Sequence, residues 1–173
     1  MDDRSLIRLA GAAAVLGGAM RIATAFVPWA PGVAWLEAVA FAIDVLLLFG
    51  LMGVYLAHRA ALGWAGLAAF VLAEIGIASI VGPDTAAFGI DTYLAGVHAI
   101  SVGLSVLGLV MLSARIEMLA ATSWVASLVI GLSAGLIGQG AAGFLIGGIL
   151  FALGFVSAGL GLLLPGDGVK QAP

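Results

Sequence analysis

Six stretches of predominantly apolar residues dominate this chain, at about 6–27, 33–57, 60–81, 92–113, 118–137 and 141–164. Each has about the 20 residues that a helix needs to cross a hydrocarbon core of about 30 Å. Strands do not compete, because the runs lack period-two alternation and far exceed the roughly 9–11 residues of a barrel strand. With 64% hydrophobic and 9% charged residues, against about 25% charged in soluble domains, the chain has too few polar groups to cover an aqueous surface. The expected fold is therefore all-α: a polytopic integral membrane protein, a single domain of six transmembrane helices in a compact bundle whose first partner is the lipid bilayer.

The punctuation between the runs fits this reading. Pro28-Trp29-Ala30-Pro31 closes the first, His58-Arg59 the second, Gly82-Pro83-Asp84 the third, and Pro165 follows the sixth. Prolines remove backbone donors, and tryptophan suits a membrane interface. Gly138-Gln139-Gly140 turns the fifth run into the sixth. Ala23-Thr24-Ala25 looks like a signal-peptide cleavage pattern, but Arg21 interrupts the apolar stretch just before it.

Orientation follows from the basic residues. In a six-span arrangement Arg4, Arg8, Arg59, Arg115 and Lys170 fall on one side, while the other carries Asp84 and Asp91. The positive-inside rule then predicts cytoplasmic N- and C-termini, in a cell membrane of the bacterial inner-membrane type.

Several classes of chemistry are excluded. The net charge of −3 without a basic run argues against nucleic acid, and the absence of cysteine removes disulfide and thiolate chemistry. No phosphate loop, H-E-x-x-H or G-x-S-x-G occurs. His58 and His98 lie near opposite ends of their spans, too far apart to share a haem, which leaves only His98 for single ligation of a tetrapyrrole. Glu37, Glu74 and His98 are chemically able to hold a metal but have no local ligand spacing, so neither cofactor nor metal is expected.

Ionisable residues inside the spans carry the functional signal, since a central charge costs about 2.5–3.5 kcal/mol on insertion scales. Arg21 lies in the first span, Glu37 and Asp44 in the second, Glu74 in the third and His98 in the fourth. At about 1.5 Å per residue, Arg21, Glu37, Glu74 and His98 lie roughly 6–11 Å from the outer ends, and Asp44 roughly 16 Å. A bundle could gather them. Arg21 and Glu37 are expected to pair, Ser101 lies near the face of His98, and the remaining carboxylates require a proton, a cation or a cationic ligand. Spans five and six carry no ionisable residue and read as scaffold.

Glycine, at 26 residues, lets helices approach closely in lipid. Gly131 and Gly135 with Gly143 and Gly147 predict a tight hairpin of spans five and six, which could also seat a homo-oligomer or a larger membrane assembly. Trp64 and Trp124 near the starts of spans three and five hint at a repeated hairpin. The leading functional expectation is a compact transporter or binding subunit whose polar cluster takes a proton, cation or small polar ligand. Its rivals are an accessory subunit of a membrane complex and an intramembrane enzyme acting on a lipid or isoprenoid.

Overall fold

The computed structural model describes residues 2–28, 30, 32–81, 86–87 and 90–164. The expectations placed on Trp29, Pro31, Gly82, Pro83, Asp84, Pro165 and Lys170 lie outside the described residues.

The protein is all-α, with five helices that are each long and apolar enough to cross a membrane. They are α1 (Asp3–Thr24), α2 (Ala34–Ile80), α3 (Thr92–Ala114), α4 (Met118–Leu136) and α5 (Gly140–Leu163). A two-residue hairpin, β1 (Ala86–Ala87) and β2 (Ile90–Asp91), precedes α3, with Ala86 opposite Asp91 and Ala87 opposite Ile90. Asp2 and Asp91 cap α1 and α3, accepting from the Ser5 N–H at 3.2 Å and the Leu94 N–H at 2.9 Å.

Six expected spans are thus not matched by six helices, and the reason lies in α2. It runs for 47 residues, about 70 Å if straight. It is not straight: Gly63 has φ 58° and ψ −157°, a conformation closed to residues bearing a Cβ. The rings of Tyr55 and Phe70 stack with centroids 4.4 Å apart, whereas fifteen residues of straight helix would separate them by about 22 Å. The two limbs of α2, 34–62 and 64–80, therefore fold back on each other. The reversal falls at Gly63 rather than at the expected His58-Arg59, both of which remain helical.

The helices close into the ring α1–α2–α3–α4–α5–α1, and the pairings along each seam, such as Ala10 with Gly53 and Ala14 with Gly50, run antiparallel. Small residues set the spacing. A Cβ on Gly50 would lie 2.7 Å from the Ala14 Cβ, one on Gly103 2.6 Å from the Ala73 nitrogen, and one on Gly159 2.5 Å from the Gly11 carbonyl oxygen. Two interhelical hydrogen bonds reinforce α4, from Ser105 Oγ to the Trp124 carbonyl at 3.3 Å and from Ser127 Oγ to the Gly147 carbonyl at 2.7 Å. The buried core includes Leu47, Leu51, Ile77, Leu107, Trp124 and Phe155, and large apolar side chains such as Leu9, Phe41, Ile75 and Leu136 cover much of the outside.

The glycine expectation holds for Gly143 and Gly147, which meet α4 beside the Gly131 backbone, and not for Gly135. Gly143 is buried against Ala134 and Gly147 against Ser127, whereas a Cβ on Gly131 or Gly135 would meet nothing within 4 Å. The tryptophans are likewise not equivalent: Trp64 is 85% exposed at the α2 reversal and Trp124 is fully buried.

Candidate functional site

The antiparallel ring gives the bundle two unlike ends. At one, Gly108 packs on the Ala121 carbonyl and Ser105 bonds to Trp124, so α3 and α4 are held together. Toward the other, Ser127, Leu128, Gly131 and Leu132 of α4 face an opening instead. A cavity of about 310 Å³ fills the gap and reaches the bundle end beside Ile80, Tyr93 and Gly140.

Three of the five residues singled out by charge line this cavity: Arg21 from α1, Asp44 from α2 and His98 from α3. Asp44 lies well inside α2, His98 in the second turn of α3 and Arg21 in the last turn of α1, and the ring order brings the three positions to one cavity. Arg21 and Asp44 share the cavity without pairing, since the only ion pair within 4 Å among the described residues is elsewhere. Arg21 extends over Gly148 of α5, with Nη2 4.0 Å from where a Cβ would stand. The absent side chain makes the room.

The polar lining is completed by Tyr93, Ser101 and Ser127. His98 Nδ1 stands 2.8 Å from the Leu94 carbonyl oxygen. A carbonyl only accepts, so Nδ1 carries a proton, and in the neutral form of the ring the lone pair is on Nε2. Leu47, Ile77, Phe144 and Phe151 supply apolar wall. Phe151 also packs on Phe155 at 5.1 Å, and Phe155 meets Trp124 edge-on at 5.4 Å. Of these three rings Phe151 is the one that lines the cavity.

Two expected members stand apart. Glu37 is exposed, and its Oε1 accepts from the Gly32 N–H at 2.9 Å. It secures the turn into α2, and no Arg21–Glu37 ion pair forms. Glu74, on the second limb of α2, does not line the cavity, and its Oε1 is buried without a hydrogen-bond partner. Conversely, α4 and α5, expected as scaffold, contribute a full wall. Their contribution comes from serine, glycine and phenylalanine, which a search for charge passes over.

A second titratable pair occupies the sealed end. His58 Nε2 lies 3.8 Å from Glu117 Oε1. Glu117 follows a tight turn in which Arg115 and Glu117 both have left-handed backbones, φ 57° and 42°, and its carboxylate packs over Gly161 of α5. Burial pushes the Glu117 carboxyl up from its ordinary value. His58, expected at the inner surface, is half-buried here.

Among the described residues no three histidine or carboxylate side chains stand close enough to hold a metal ion. Fold and cavity together define a class: an all-α bundle of apolar helices with, at one end, a largely apolar cavity that carries a few polar side chains. Comparison with family models, curated proteins and solved structures finds no match for this chain.

Proposed function

We propose that the chain is a membrane-embedded binding protein that takes a small polar ligand into this cavity, as a compact transporter or as the binding subunit of a larger assembly. In this reading the two limbs of α2 cross the bilayer separately, giving six crossings. Both termini, Arg59 and Arg115 then lie on the cytoplasmic side of a bacterial-type inner membrane, and the cavity faces outward. The observation that carries the reading is the convergence of Arg21, Asp44 and His98 on one cavity from three different helices. In a bilayer an ionisable side chain is costly and persists where it serves a pathway, a pair or a ligand. The volume lies at the lower end of the roughly 300–1,000 Å³ of small-molecule pockets.

Filling the cavity tests the proposal. Gly148→Leu places a side chain beside Arg21, and nothing else stands within 4 Å of its Cβ. In lipid nanodiscs, thermal melts against methylammonium, acetate, glycerol and glycine should show at least one probe that stabilises the parent and not the variant, because a ligand bound only by the folded state raises its stability. Equal responses in both proteins, or none in either, would remove the binding reading.

A further inference from the structure

We infer that the ligand is a small zwitterion with an apolar body, an ammonium and an anionic group carried on a hydrocarbon frame. The inference rests on the binding reading above and comes from counting what the cavity can donate and accept. Ser101 Oγ gives its proton to the Val97 carbonyl at 2.8 Å, and Ser127 Oγ gives its proton to the Gly147 carbonyl at 2.7 Å. Both hydroxyls therefore present lone pairs to the cavity. His98 Nε2 does the same in the neutral ring, where Leu94 holds the proton on Nδ1, and the ionised Asp44 carboxylate only accepts. Against these acceptors stands Arg21, which only donates, with the Tyr93 hydroxyl able to do either.

An acceptor-rich wall calls for a ligand rich in N–H donors, and an ammonium brings three. A bare amine would add a positive charge beside Arg21, and a bare carboxylate would add a negative charge beside Asp44. A zwitterion adds neither. Its ammonium faces Asp44, Ser101, Ser127 and His98, and its anionic group faces Arg21, where a guanidinium binds a carboxylate or phosphate through paired hydrogen bonds. Arg21 and Asp44 line one cavity without meeting within 4 Å, so each charge is free to take its counterpart on the ligand. The hydrocarbon frame lies on Leu47, Ile77, Phe144 and Phe151, and the aromatic faces also suit a nearby cation.

The test is a matched set on the nanodisc-embedded full chain by calorimetry: leucine, isoamylamine without the carboxylate, and 4-methylpentanoate without the ammonium. Leucine should bind at least about tenfold more tightly than either truncated compound, and Asp44→Asn and Arg21→Ala should each reduce its affinity by a similar factor. Isoamylamine binding as well as leucine, with Arg21→Ala silent, overturns the zwitterion while leaving a binding cavity. If none of the three binds, the zwitterion is also overturned. The reading beneath it is then judged separately by a water-soluble maleimide at Ser101→Cys: reaction keeps the cavity, and protection removes it.

Discussion

The two ends of the bundle are built from the same few residue types and reach opposite outcomes. Toward the sealed end, Gly53 meets Ala10, Gly108 the Ala121 carbonyl and Gly159 the Gly11 carbonyl, Gly154 and Gly161 lie under the Trp124 and Glu117 side chains, and Phe155 and Leu107 fill what remains. At the open end Gly76 and Gly96 still pack on backbone between α2 and α3, but on the α4–α5 side Gly131, Gly135 and Gly140 face nothing within 4 Å and Gly148 faces only the Arg21 guanidinium. A glycine therefore has two uses in this fold: to bring helices together, or to keep space clear beside a charged side chain. Spacing along the chain does not distinguish them, and the element across from the glycine does.

The largest expected contrast comes from placing one substitution at a packed glycine in the middle of α3 and one at an unpacked glycine of the open end. Gly103→Leu would drive a side chain into the Ala73 backbone, whose nitrogen lies 2.6 Å from the new Cβ. Backbone cannot step aside, so the loss should reach about 3 kcal/mol, the upper part of the usual range for overpacking. Gly135→Leu projects into open space and should stay within about 0.5 kcal/mol, apart from a small gain in helix propensity. Reversible unfolding of both in one detergent decides the matter. Similar losses at the two sites would erase the distinction between packed and open glycines.

A smaller effect separates the two charged clusters. Burial raises the Glu117 carboxyl above its ordinary value of 4.5, so the folded state holds the proton more tightly than the unfolded chain. That contribution is fully present below 4.5 and is lost as pH rises through the folded value. Glu117→Gln, which stays neutral, should match the parent at acidic pH and be the more stable of the two at pH 8. The difference is modest, because the side chain is partly solvated and gains from His58 at 3.8 Å whenever that ring is protonated. Thermal melts across pH check it, and a parent that outperforms the variant at pH 8 would show that the ion pair outweighs desolvation.

The helices were legible in the sequence because a run of apolar residues long enough to span a bilayer has few other ways to satisfy its backbone. The reversal in α2 was legible as a break but misplaced by a few residues: His58-Arg59 are the conspicuous polar pair, yet only Gly63 tolerates the required φ. Arg21, Asp44 and His98 stood out as charges inside apolar runs, and those are the residues that share the cavity. Glu37 looked the same by that criterion, but it answers to the Gly32 N–H a turn away. Ser127, Gly148 and Phe151 carry no charge signal, and their role depends on which helix lies opposite. The His58–Glu117 approach joins helix ends distant in sequence, which only the closed ring of helices brings within reach.

The most direct measurement compares two single cysteines in a chain that has none of its own. Ser101 lines the cavity, and Ser123, 7% exposed, is packed at the sealed end. In sealed vesicles holding the protein in a known orientation, a membrane-impermeant maleimide should modify Ser101→Cys from the cavity side and leave Ser123→Cys untouched from either side. Equal protection of both cysteines, or reaction at Ser123→Cys in the folded protein, would contradict a bundle open at one end and sealed at the other.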